Sequence, residues 1–338
     1  MTSLRVPPGA SESDVTQAVR ACEQIAAKDR SNLYFVSRFL EEPARYEAFV
    51  AMYAVMRLID DAVDDVPDKS QAGADVRAEL LRELDRWQSR ILSAHRLQPV
   101  ADPIDLALQA ALYTFPTPVE LWLNFIDSMR YDVEIPGFGS YADFLQYGEG
   151  ATIAPTVIYV YILTAVRDAD GSYRPNAFDY HACGRELGLF AYLAHILRDV
   201  RQDAMVGQSG LVYLSDSDLR LHGLDRNELR KLATAAEGDS RWAALVHDLC
   251  ARAREMERRG AALAEAHYDA MRRDCAFILC LIISLYQELL ERIDRSPERV
   301  FLPEPLISNH EKSLLALDCA RRVRYSQVKV ATTLATCG

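Results

Sequence analysis

The 338-residue sequence predicts an all-α protein. Apolar residues recur at intervals of three and four along most of the chain, as the buried stripe of a helix requires. Strand-like alternation between turn pairs is scarce, and clusters of proline and glycine cut the pattern into helix-sized pieces. In order, helices are expected over 12–28, 31–40 and 43–65, the last ending at the break VPDKSQAG (66–73). Helices 72–95 and 103–112 lead to FPTP (115–118), helix 117–130 to IPGFGS (135–140), and helices 141–147 and 151–167 to DADGSYRPN (168–176). Helix 177–203 stops before VGQSG (206–210), and helices 226–235, 239–269 and 271–294 complete the body. None of the breaks separates regions of different composition, and no internal repeat has a fixed period. The chain therefore reads as an N-terminal segment (1–29), one helical domain (30–294) and a C-terminal extension (295–338), whose tail KVATTLATCG is expected to be poorly ordered.

Half of the residues are hydrophobic and the formal charge is −11. A large core is affordable at this length, and the negative charge argues against binding nucleic acid through phosphate contacts. Seven scattered cysteines form no CxxC pair or metal-ligand spacing, so they read as reduced core residues of a cytoplasmic protein. The start MTSLRVPPGASESD has no apolar run of the secretory type. The two longest apolar stretches, APTVIYVYILTAV (154–166) and CAFILCLIISLY (275–286), are too short to span a bilayer and are expected as central helices.

Chemistry concentrates in two acidic stretches. In RLIDDAVDD (57–65), Asp60 and Asp64 are four apart and share one helix face, directly after the apolar run AFVAMYAVM. In HILRDVRQD (195–203), Asp199 and Asp203 repeat the spacing after GLFAYLAHIL. Each pair has an arginine beside it, Arg57 or Arg198. Like charges at this spacing repel, and a cation between them offsets the repulsion. An acidic run is most simply a solvated face, but two runs of equal spacing, both trailing apolar helices, suggest jaws facing each other across a cavity. Such jaws suit Mg²⁺, which takes one or two carboxylates and completes its shell with water and phosphate oxygens. A diphosphate held there becomes a good leaving group.

With these motifs in view the sequence resembles the squalene/phytoene synthases, the head-to-head branch of the trans-isoprenyl diphosphate synthases. The resemblance runs from about Ser31 to Arg292. It is carried by Tyr53-Ala-Val-Met-Arg57-Leu-Ile-Asp60-Asp61-Ala-Val-Asp64, by Arg198-Asp199-Val-Arg-Gln-Asp203, and by Ser31, Arg130 and Asp132 in FIDSMRYDVE, Tyr147, and Tyr286. It implies the isoprenoid synthase fold, with helices around a central cavity, and metal-dependent ionisation of an allylic diphosphate. By carry-over, Asp60, Asp64, Asp199 and Asp203 bind Mg²⁺. Ser31, Arg57 and Arg198 contact diphosphate or hold the carboxylates, Tyr34 and His195 bind substrate, and Tyr53, Tyr147 and Tyr286 line the cavity, where aromatic faces stabilise a cation. For the arginines the plainer alternative is a structural Arg–Asp pair, and for the tyrosines it is ordinary core packing.

The chain departs from the family pattern in three places. His195 stands where the family usually has a metal-binding Asn, and it reads either as a hydrogen-bond donor to diphosphate or as a satisfied core histidine. Tyr192 replaces a common Gln, and Leu33 replaces the second serine of Ser-x-Ser-Phe. The usual small-residue run after the tyrosine reads GEGATIAPT (148–156), where Thr152, Ile153 and Thr156 are bulkier and Pro155 is expected to kink a helix. Glu149 there is expected to face solvent.

The leading expectation is head-to-head condensation of two farnesyl or geranylgeranyl diphosphates, with NADPH needed only if squalene is the product. The alternative is a class I terpene cyclase acting on one such diphosphate, motivated by the altered 148–156 segment. A non-catalytic scaffold is disfavoured because both aspartate pairs are intact. Because the products are apolar, peripheral contact with a membrane is expected although no span is.

Overall fold

The computed structural model describes residues 2–28, 32–64, 73–135, 137–205 and 213–336. Fifteen α-helices account for most of them. They are α1 (Glu12–Lys28), α2 (Asn32–Ser37), α3 (Pro43–Asp64), α4 (Ala74–His95), α5 (Pro103–Thr114), α6 (Val119–Glu134), α7 (Tyr141–Gly148) and α8 (Ala154–Thr164). After a hairpin of two two-residue strands, β1 (Val166–Arg167) and β2 (Tyr173–Arg174), come α9 (Tyr180–Ala204), α10 (Asp216–Leu221), α11 (Arg226–Ala235), α12 (Ser240–Glu265), α13 (Arg273–Arg295), α14 (Asn309–Arg322) and α15 (Gln327–Thr336).

Local chemistry sets many of the helix starts. Side chains at the first position accept from backbone amides that have no partner within the helix: Asp102 for α5, Ser140 for α7, Asp179 for α9, Ser215 for α10 and Asp239 for α12. The α8 helix sits at the centre, with every residue from Val157 to Thr164 buried. Helices α3 and α9 each pack against it, so α8 spaces the two helices that carry the aspartate pairs. The six described cysteines are free and buried, as expected. No helix among the described residues is long and apolar enough to cross a membrane.

Three expectations need correction. The segment 151–167 is not one helix kinked at Pro155. Residues Glu149–Ile153 form a π turn that continues α7 into α8, and Pro155 falls in the first turn of α8. Proline is tolerated there because its missing amide would have had no intrahelical partner. Secondly, the bulky residues of this segment do not crowd a void: Thr152 and Ile153 are buried against α9, and Thr152 Oγ1 donates to the Gly188 carbonyl at 2.9 Å. The space comes from α9, where a Cβ on Gly188 would lie 3.1 Å from the Thr152 carbonyl oxygen and 3.3 Å from Ile153 Cα. Thirdly, the tail is not irregular up to residue 336. The α15 helix forms there, Val330 is fully buried, and Lys329 reaches Glu41 at 2.5 Å. The tail was misread because its order comes from contacts with α14 and with residues nearly 300 positions away.

Candidate active site

The α3 helix ends in the first acidic stretch. Its Arg57 reaches Asp60 Oδ2 at 3.3 Å and Asp61 Oδ1 at 2.5 Å, one turn ahead in each case. Arg57, Asp60 and Asp61 are all about two-fifths exposed. Asp64 closes the helix, but its side chain, like Ser31 and Asp65, lies outside the described residues. Tyr53 is half-buried on the same face, seven residues before Asp60, and stacks on Phe49 at 5.4 Å. Tyr34 is placed elsewhere. Its hydroxyl joins Glu23 in raising the Tyr46 phenol after burial has done most of that work. Tyr34 is therefore at the far end of α3, roughly 21 Å along the helix from Asp60 at 1.5 Å per residue.

The second jaw is bound more tightly. Arg198 holds Asp199 in a fork, Nε to Oδ1 and Nη2 to Oδ2, both at 2.6 Å, and His195 Nε2 lies 2.7 Å from Oδ2. Burial pushes the Asp199 carboxyl upward, but Arg198 and His195 outweigh it and hold the group well below the usual carboxylate range. Burial likewise pulls the Arg198 guanidinium down, and Asp199, with Asp203 adding, raises it overall. His195 is thus a partner of an aspartate, which is what the substitution for asparagine does in this fold.

Tyr192 connects the two jaws. It shares the α9 face of Asp199 and Asp203, and its phenol is raised well above its ordinary value by burial, then by Asp132, Asp203 and Asp60. One hydroxyl is therefore within electrostatic reach of carboxylates from both α3 and α9. Tyr147 is beside it, 4% exposed, and donates to Asp132 Oδ2 at 2.7 Å. Arg130 is not part of this group, because its side chain is taken up by Asp85, Gln88 and Asp127 on the outer surface. Glu149 also stands apart, paired with Arg185.

Tyr286 lies over the Arg198–Asp199 pair: its hydroxyl is raised by burial, with Arg198 opposing and Asp199 adding. A cavity of about 260 Å³ opens beside it, walled by Arg198, Tyr286, Leu289, Arg299, Leu306 and Lys312 among others. Burial, and then Arg198, pulls the Lys312 ammonium below its usual value. Arg299 and Lys312 belong to the extension and are absent from the residues expected above. The available signal was a pair of basic residues among the apolar ones of ERVFLPEPLISNHEK.

Among the described residues no three His, Cys, Asp or Glu side chains close on a point that holds a metal ion. The donor set nevertheless fits a hard divalent cation, since Asp60, Asp199 and Asp203 offer only carboxylate oxygens. In this arrangement Arg57 and Arg198 balance part of that charge.

Comparison with known proteins is consistent with this geometry. A model of the squalene/phytoene synthase family matches residues 26–311. Among relatives, the chain is 25% identical over 323 residues to phytoene synthase 3, chloroplastic, of Zea mays, covering 93% of this chain and 68% of that one. It is 26% identical over 305 residues to the phytoene synthase of Mycobacterium tuberculosis, covering 90% and 91%. Among solved structures, a dehydrosqualene synthase in complex with ligand superposes with a TM-score of 0.74 at 19% identity, covering 92% of this chain and 98% of that one. That likeness establishes the shared fold.

Proposed function

Since the chain belongs to the squalene/phytoene synthase family and is a prenyltransferase that condenses prenyl diphosphates head to head, we propose that its substrate is geranylgeranyl diphosphate and its product a C40 hydrocarbon of the phytoene type. The observation that supports one site shared by the two acidic stretches is Tyr192 on α9, whose hydroxyl lies within electrostatic reach of Asp203 on α9 and Asp60 on α3. Support for the longer substrate comes from the relatives, which are named phytoene synthases. Cyclisation of a single chain is not favoured. Its motive was a reshaped 148–156 segment, and the bulky residues there pack into α9.

In this reading Asp60, Asp64, Asp199 and Asp203 hold Mg²⁺, which would supply the positive charge that makes the diphosphate a leaving group. Arg57 and Arg198 orient the carboxylates and are placed to turn toward phosphate oxygens, to which a guanidinium fork is well matched. Arg299 and Lys312 add positive charge to the cavity beside Tyr286, where a second diphosphate fits between them and Arg198. Tyr53, Tyr147 and Tyr286 present ring faces toward the allylic cation. The apolar walls exclude water, which would otherwise capture it. No reductant is required for a product formed by proton loss. The protein works from the aqueous side, and release of its apolar product calls for peripheral contact with a membrane.

The test is incubation of the purified protein with Mg²⁺ and, separately, farnesyl and geranylgeranyl diphosphate, each with and without NADPH, followed by mass spectrometry of extracted products. A C40 hydrocarbon independent of NADPH is the expected result. A C30 product would correct the chain length, and a C15 or C20 hydrocarbon from one chain would overturn the reading.

A further inference from the structure

On α3 the face of Asp60 carries Tyr53 and Phe49, seven and eleven residues before it. On α13 the face of Tyr286, which walls the cavity, continues back through Ile282 and Leu279 to Cys275. Toward the jaws both faces are open, because Tyr53, Ile282 and Tyr286 are only partly buried. Away from the jaws both close, because Phe49, Leu279 and Cys275 are buried. Tyr159 of α8, a helix that packs against both, fills the level at which they close. Its ring meets Phe49 edge-on, with centroids 5.2 Å apart and planes at 67°, and Phe49 stacks in turn on Tyr53. Burial pushes the Tyr159 phenol up, with Cys275 on the α13 side adding to it. Phe49 is roughly 16 Å along α3 from Asp60 at 1.5 Å per residue. The Tyr159 hydroxyl is buried and has no hydrogen-bond partner among the described residues.

Resting on the head-to-head reading above, we infer that Tyr159, backed by Phe49, is the floor of the channel that takes the prenyl tail and sets the longest chain the enzyme accepts. A diphosphate held by its head at the aspartates extends its tail along the open part of the α3 and α13 faces. The tail stops where those faces close. Close packing on the far side leaves the two rings no room to retreat. A substrate one isoprene unit longer therefore drives its last methyl groups into the Tyr159 ring, and the overlap is unfavourable. The residue acts through the bulk of its ring and takes no part in bond making. Sequence alone does not single it out, since VIYVYILT (157–164) holds two tyrosines. Tyr161 points to the opposite side of α8, where it donates to the Tyr173 carbonyl at 2.9 Å.

The experiment uses the full chain with Mg²⁺ and NADPH and measures kcat/KM for farnesyl, geranylgeranyl and geranylfarnesyl diphosphate, with products identified by mass spectrometry. The parent should show a sharp drop from the longest accepted chain to the next. Tyr159→Ala should raise kcat/KM for that next chain, relative to the accepted one, by about tenfold or more, the scale of refitting an apolar pocket. Its product should be two isoprene units longer. Tyr159→Phe keeps the ring and should keep the parental ratio, and it should unfold at the same temperature or higher because the hydroxyl has no bond to lose. Thermal unfolding shows which variants are folded, and if Tyr159→Ala is not, Phe49→Leu trims the other ring and should shift the ratio in the same direction. The floor is overturned by a parental ratio in either folded variant, by equal losses on every chain length, or by a changed ratio in Tyr159→Phe. A parent that takes all three chains equally well overturns it too. A parent that joins no two chains of any length would instead sink the head-to-head reading itself.

Discussion

The aspartate pairs of α3 and α9 have the same spacing and unlike surroundings. Asp60 is 39% exposed and meets Arg57 at 3.3 Å, a partner supplied by its own helix. Asp199 is 26% exposed and is held at 2.6 to 2.7 Å by both Arg198 and His195. Exposed pairs on one helix contribute little, because water screens them and long side chains lose freedom in forming them. A half-buried fork lacks that screening, and losing one partner there leaves a charge poorly solvated. The difference teaches that the α9 jaw is preorganised by its neighbours, while the α3 jaw is the more exposed of the two.

The largest effect expected from this contrast is on turnover. Asp199→Asn should lower product formation by about 10²–10³-fold, the scale of removing one fixed electrostatic stabiliser. A loss below tenfold in a steady-state assay would take α9 out of the site. Next comes stability: Arg198→Ala should cost about 1–2 kcal/mol in a denaturant titration, less than a fully buried pair because both groups keep some solvent contact. Arg57→Ala should cost roughly 0.5 kcal/mol or less. Equal costs for the two arginines would erase the contrast.

The pH dependence sharpens the same point. The Asp199 carboxyl is depressed in the folded protein. Its contribution is thus present above the unfolded value near 3.9 and is lost as pH falls through the folded value. The stability gap between the parent and Arg198→Ala should be constant near neutrality and narrow below about pH 4. A gap that stayed open in acid would mean that Arg198 stabilises through packing of its stem and not through Asp199. An effect on stability alone is expected at the interface that spaces the jaws. Thr152→Val removes the bond to the Gly188 carbonyl and should cost about 1 kcal/mol without changing the product. A longer or shorter product from that variant would mean that 148–156 shapes the cavity after all.

Much of this was legible in the chain because helices are local. The three- and four-residue period of AFVAMYAVM and GLFAYLAHIL is set within each segment, and so is the four-residue spacing that puts Asp60 with Asp64 and Asp199 with Asp203 on common faces. The all-α class and the order of the helices follow from the same period. Residues whose role depends on a distant partner were harder to read. His195 was left between diphosphate donor and core residue until Asp199 was seen beside it. Arg299 and Lys312 carry no local sign that they approach Arg198, about a hundred residues away in the chain. Tyr34, carried over as a substrate-binding residue, lies beside Tyr46 near the start of α3, a contact set by packing between α2 and α3.

By itself, then, the sequence determined that the chain is helical, where its helices run, and that carboxylates are paired on two of them, because backbone hydrogen bonding and side-chain period act over one or two turns. Only the tertiary structure decided that a π turn over Glu149–Ile153 leads into the helix that begins before Pro155, that the Arg198 fork grips Asp199, and that Tyr147 donates to Asp132 with the Tyr192 ring beside it. Those outcomes depend on which helices pack together and at what depth. Close packing of side chains from remote segments sets both, and the burial that results fixes how strongly each charge and hydroxyl feels the others.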